Sequence, residues 1–199
     1  MDRERPETYW IMDPAQLAVL TSPRRHDIAD RLAASGPISI RELATQIGAK
    51  PSALYHHINK MLAVGLVVEA GTRVVRRKRE QLYATPAPRM RLVRALAEGE
   101  QAGLMNEIVA SLTRQMARDF STGITSPARA ADGQGRNLGF FRLVGRPSPA
   151  QLARVNACLL EVAEILWHSN DPQADLVCLG WVMAPVDKSG AGNESDEDA

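Results

Sequence analysis

The chain has 199 residues, 45% hydrophobic and 24% charged, which suits one large or two small globular domains and argues against intrinsic disorder. Its net charge of +1 singles out no partner, and two cysteines exclude a disulfide framework. No apolar run approaches the ~20 residues that span a bilayer. The charged start Met1-Asp2-Arg3-Glu4-Arg5-Pro6 leads into no apolar signal stretch, so a cytoplasmic protein is expected.

The charge is unevenly distributed. From Thr21 to Arg94 there are 14 Lys and Arg against 5 Asp and Glu, while the remainder holds 10 basic and 18 acidic residues. A basic block beside an acidic remainder points to one region facing a polyanion, with a chance excess of solvated arginine as the bland alternative.

Within that block the helix starts are punctuated. Asp13-Pro14 reads as an N-cap followed by a first-turn proline, ahead of the apolar segment Leu17 to Leu20. Ser22-Pro23 repeats the signal. Ile28 and Leu32, with Ala29 beside them, then form an apolar face that Gly36-Pro37 ends. Ser39 and Glu42 have capping-box spacing, Leu43 and Ile47 share a face, and Gly48 stops the third helix. Only Ala49 and Lys50 separate it from Pro51, which opens a fourth, so the pair reads as a helix-turn-helix.

The fourth helix carries the functional argument. At about 100° per residue Leu54, Ile58 and Met61 fall on one stripe. Ser52, His56, Asn59 and Lys60 lie opposite with Ala53 beside them, and Tyr55 and His57 lie on the flanks. No Asp or Glu occurs from Gly48 to Val68, and acidic residues are what a phosphate-facing surface excludes first. Beyond it, Gly65 to Ala70, Arg73 to Val75 and Gln81 to Thr85 read as strand material around the run Arg76-Arg77-Lys78-Arg79. Gly71-Thr72 is a rival turn or bulge. A hairpin tip with four like charges is a phosphate-binding device, since a merely soluble tip gains nothing from their mutual repulsion.

The run Ile38 to Gly48, then Lys50-Pro-Ser-Ala-Leu-Tyr-His-His-Ile-Asn-Lys-Met-Leu, then Ala63-Val-Gly-Leu-Val, resembles the winged helix-turn-helix of ArsR-type transcriptional regulators. MarR-type regulators share much of the pattern. The basic hairpin matches the family's wing and Tyr83-Ala84-Thr85-Pro86 its exit, so the resemblance covers about Pro14 to Pro88. It implies a homodimer on double-stranded DNA at a pseudopalindromic operator, with one helix in each major groove. By position, Ser52, Ala53 and His56 would approach base edges, and Lys50 and Lys60 phosphates. Tyr55 would reach phosphate or pack under the wing. His57 reads more simply as a flank histidine hydrogen-bonded within the domain. The metal-sensing members carry paired cysteines near this helix, and none stands here, so metal sensing is not carried over.

The second half is less marked. Arg89 to Asp119 reads as one long or two broken helices, suited to dimer packing or to covering a second domain, and Ser121 to Asn137 as a loop. Leu138 to Val144 alternates like a strand, Ser148-Pro149 opens a helix, and Leu176 to Met183 reads as a buried strand. Together they form a βαβ unit that would dimerise the chain or bind a small-molecule effector. Cys158 and Cys178 are expected as buried structural residues, with a redox pair as the alternative. The acidic tail after Val186 is expected to be disordered.

The fold class is therefore α+β. The chain divides into a winged helix-turn-helix over 1–88, a linking or dimerisation helix region over 89–120, a small α/β unit over 121–186 and a tail over 187–199. No phosphate-cradling glycine loop, nucleophile elbow or zinc-protease motif occurs, so no catalytic residue, metal or cofactor is assigned. Competing with the DNA-binding regulator are a winged-helix module for a protein partner and a ligand-binding or redox protein.

Overall fold

The structure is a computed structural model that describes residues 6–92, 94–95, 101–169, 171 and 173–186. The tail and the linking segment 96–100 lie outside these residues. The fold is mixed α+β. In chain order it runs β1 (Thr8–Trp10), α1 (Pro14–Leu20), α2 (Pro23–Ser35), β2 (Ile38–Ser39), α3 (Ile40–Ile47), α4 (Pro51–Ala63), β3 (Val68–Val75), β4 (Lys78–Ala84), β5 (Arg89–Arg91), α5 (Ala102–Gly123) and α6 (Pro149–Trp167). Among the described residues no helix is long and apolar enough to cross a membrane.

The first four helices begin where local chemistry favours them. Asp13 accepts the Ala15 amide at 2.8 Å with Pro14 at the first helical position. Ser22 holds the same position before Pro23 without a side-chain bond, and Gly36 ends α2. At α3 the capping box is complete: the Ser39 amide donates to Glu42 Oε2 at 2.8 Å and the Glu42 amide to Ser39 Oγ at 3.4 Å. Gly48 closes α3 in the left-handed conformation.

One core joins these elements. Leu17, Leu20, Ile28, Leu32, Leu43, Leu54, Ile58, Met61, Leu66 and Val67 are buried in it, and Met105 and Ile108 extend it onto α5. The first half of α5 is thus part of the same packing unit as the helix-turn-helix. Gln16 is buried at the α1–α4 junction, donating to Tyr9 Oη at 2.7 Å and to the Val64 carbonyl at 2.8 Å.

β3 and β4 form an antiparallel hairpin, and β2 pairs on the far side of β4, giving the order β2-β4-β3. The register shifts between Glu69 and Thr72, where Gly71 takes φ +94°, so the rival turn is a bulge within β3. β1 and β5 pair in parallel, bringing the N-terminal strand beside the exit of the hairpin. Arg89 to Arg91 is therefore strand, not the start of the long helix expected from Arg89. Its partner lies about eighty residues upstream in the chain, and no local pattern marks it.

The C-terminal half departs further from expectation. α6 forms where expected, with a Ser148–Gln151 capping box, but none of its residues is buried. Residues 138–144 and 176–183 are irregular and largely exposed, so the expected βαβ sheet and buried strand are not formed among the described residues. Their apolar patterns express a need for cover that the described residues do not supply. Cys158 and Cys178 are likewise exposed rather than buried. Polar contacts tether α6: Arg89 bonds Glu164 at 2.8 Å and Glu7 at 3.0 Å, and the Arg91 guanidinium lies 5.4 Å from the Trp10 ring and 5.0 Å from the Trp167 ring.

Candidate nucleic-acid interface

The turn Gly48-Ala49-Lys50 aims α4 away from α3, with Lys50 as its N-cap and Pro51 in its first turn. Leu54, Ile58 and Met61 anchor the helix, as their spacing predicts. Because they point inward, Ser52, Ala53, Tyr55, His56, Asn59 and Lys60 are exposed, and Lys50 is exposed at the entry. These side chains are small, hydrogen-bonding or basic, the chemistry that reads base edges and holds phosphates. The Tyr83 hydroxyl pKa is raised by burial, then by the charges of Glu69 and Tyr55.

His57 does not follow its expected role. It is half-buried, and Nδ1 is enclosed with no hydrogen-bond partner, so it is not the hydrogen-bonded flank histidine expected. Burial, then the charges of Arg25, His56, Arg24 and Lys60, depress its pKa.

The hairpin tip is tighter than the sequence implies. Val75 pairs with Lys78, so the turn is only Arg76-Arg77, with φ +49° and +64°. Positive φ at both positions of a two-residue loop is the type I′ pattern, which favours Asn-Gly. Lys78 and Arg79 are the first residues of β4, and all four basic side chains are exposed. Arg79 Nε donates to Thr72 Oγ1 at 3.0 Å, which lays it across the hairpin. Among the described residues none of the four takes part in an ion pair.

Two nearby carboxylates, Glu42 and Glu80, are occupied by arginines, while Glu69 on β3 is exposed. Arg73 on β3 contacts Glu42 Oε2 at 2.6 Å and Glu80 Oε2 at 3.3 Å, and Arg41 reaches Glu80 at 3.8 Å. Glu42 thus serves two elements, capping α3 and binding the wing strand. Against the opposing pull of desolvation, bonds from Arg73 and Ser39 hold its carboxyl below the usual range. The sequence marks Glu42 only as a cap and gives no local sign of the ion pairs that Arg73, Arg41 and Glu80 form. The signal available was a basic residue on a strand adjoining a capping-box acid, and it becomes legible only once the strand is placed against α3.

No protein-family model matches the chain, and no curated protein matches it. Among solved structures it has a likeness to the crystal structure of RV1404 from Mycobacterium tuberculosis, 17% identical, covering 77% of this chain and 74% of that one. The TM-score is 0.26, too loose a superposition to carry an argument about function.

Proposed function

We propose that the chain is a DNA-binding transcriptional regulator of winged helix-turn-helix type, akin to the ArsR class, that reads an operator as a homodimer. The observation that carries this is the exposed, acid-free face of α4 beside a hairpin whose Arg76, Arg77, Lys78 and Arg79 are all solvent-facing. On this reading Ser52, Ala53 and His56 approach base edges. Lys50, Lys60 and the wing residues hold phosphates, and Tyr55 stands at the edge of the groove.

Selection of bound fragments from randomised duplex DNA at several salt concentrations tests the reading. Enrichment of an inverted repeat is the expected result, and its half-site spacing gives the separation of the two α4 helices. Absence of binding even at low salt would overturn it in favour of a protein partner for the same surface.

A further inference from the structure

His168 closes the C-terminal end of α6, and its partners define the form of its ring. Nε2 lies 3.2 Å from Arg89 Nη2, which can only donate, so Nε2 accepts. Nδ1 lies 2.8 Å from the Glu164 carbonyl, which can only accept, so Nδ1 donates. This pair of bonds needs a neutral imidazole protonated at Nδ1. Arg89 is the pivot on the other side. Its side chain is only 14% exposed, and it also binds Glu164 Oε2 at 2.8 Å and Glu7 Oε1 at 3.0 Å. Its Cζ lies 5.2 Å from the Trp167 ring, and that of Arg91 lies 5.0 Å from the same ring. These contacts bring the end of α6 onto β5, the strand that follows the exit of the hairpin. Because α6 buries none of its residues, its attachment to that strand rests on them.

We propose that His168 is a pH-sensitive latch that fastens α6 to β5. A proton on Nε2 removes the acceptor that Arg89 uses and sets two cationic donors 3.2 Å apart. The same proton makes His168 a rival for Glu164, whose Oε2 lies 3.7 Å from Nδ1. His168 and Glu164 stand four apart on one helix, and the helix dipole favours a cation at this end. Glu164 therefore passes from Arg89, on another element, to His168, on its own. In one step Arg89 loses both of its hydrogen bonds to α6 and keeps only Glu7. His168 and Glu164 are 67% and 40% exposed, so solvent protons reach the site. Among the described residues the other charges nearby supply no substitute. Glu7 already holds Arg89 Nη1, Arg91 faces the Trp167 ring, and Asp171 accepts the Gln173 amide at 2.9 Å.

The full chain, without DNA, is measured by nitrogen-15 NMR of its histidine rings and by tryptophan emission. At neutral pH the His168 ring is expected to be protonated at Nδ1, the minor tautomer of a free imidazole. On acidification from about pH 7.5 to about pH 5.5 the emission is expected to shift to the red as Trp167 leaves its arginines. His168→Gln keeps an uncharged side chain, identifies the resonance by its loss, and is expected to abolish the pH response. His168→Lys places a permanent cation there and is expected to show the low-pH emission at neutral pH. A ring protonated at Nε2 at neutral pH would overturn the proposal, as would a parent emission indifferent to pH. So would a response that His168→Gln retains, which would place it on another group. The emission titration of the parent needs no variant, so misfolding of a variant leaves the test intact. No DNA is present, so the outcome is independent of whether the chain binds an operator.

Discussion

His26, 4% exposed in the first turn of α2, has its Nε2 enclosed without a partner, and burial depresses its pKa to about 4. The folded chain refuses a proton that the unfolded chain accepts near 6.5. No stability is lost to this group above that value, and stability falls as pH drops from about 6.5 to about 4. The full shift corresponds to about 3 kcal/mol. Asp30 acts in the opposite sense over the same window. It retains exposed surface, yet crowding by the protein, then by Asp27 and Asp119, pushes its carboxyl up to about 6. The difference between parent and His26→Leu therefore isolates the histidine: the urea midpoint of the variant is expected to rise relative to the parent's as pH falls from about 6.5 to about 4, and parallel pH profiles would refute the assignment. At the wing tip Arg76 and Arg77 hold left-handed backbone that arginine seldom adopts, at a cost on the order of 1 kcal/mol each. Replacing them by Asn and Gly is expected to raise the unfolding temperature and to weaken binding to duplexes of every sequence. A loss of both stability and affinity would mean that the arginines brace the hairpin.

Between elements, Glu42 joins α3 to the wing, since the carboxylate that caps the helix also receives Arg73. Glutamine can complete a capping box but cannot pair with a guanidinium. Glu42→Gln is expected to keep α3 intact and raise amide exchange in β3. Glu42→Ala is expected to lose the cap as well, by about 1 kcal/mol more. Equal effects of the two would confine Glu42 to capping. Such double roles mark the boundary of what the sequence discloses. Helices α1 to α4 are legible because caps, first-turn prolines and apolar spacing are local, and the outward residues of α4 follow from its buried stripe. The strands β1, β2 and β5 have two or three residues each, and their partners are remote in the chain. Residues 138–144 and 176–183 carry a strand's apolar pattern, yet a pattern records the need for burial and does not name the molecule that supplies it. Cys178 illustrates the gap. It sits in an apolar run and is exposed as a residue, while its thiol end turns to Asp119 and is pushed up to about 11 by burial and the neighbouring carboxylates.

For the whole molecule, the proposed DNA binding would show itself through salt. Each subunit presents Lys50, Lys60, Arg76, Arg77, Lys78 and Arg79 to solvent. If all six neutralise phosphates, the logarithm of affinity against the logarithm of salt has a slope of about −5 for one subunit and about −11 for two. The parent on an inverted repeat is expected to show the steeper slope. Arg76→Glu with Arg77→Glu is expected to flatten the parent's slope by about 4, two contacts in each of two subunits, without changing which duplex is preferred. His56→Ala is expected to do the converse, leaving the slope in place and relaxing preference at one base position by about 1–3 kcal/mol. Fluorescence anisotropy on cognate and scrambled duplexes separates these outcomes. A parent slope near −5 would mean that a single subunit carries the binding and would overturn the homodimeric reading.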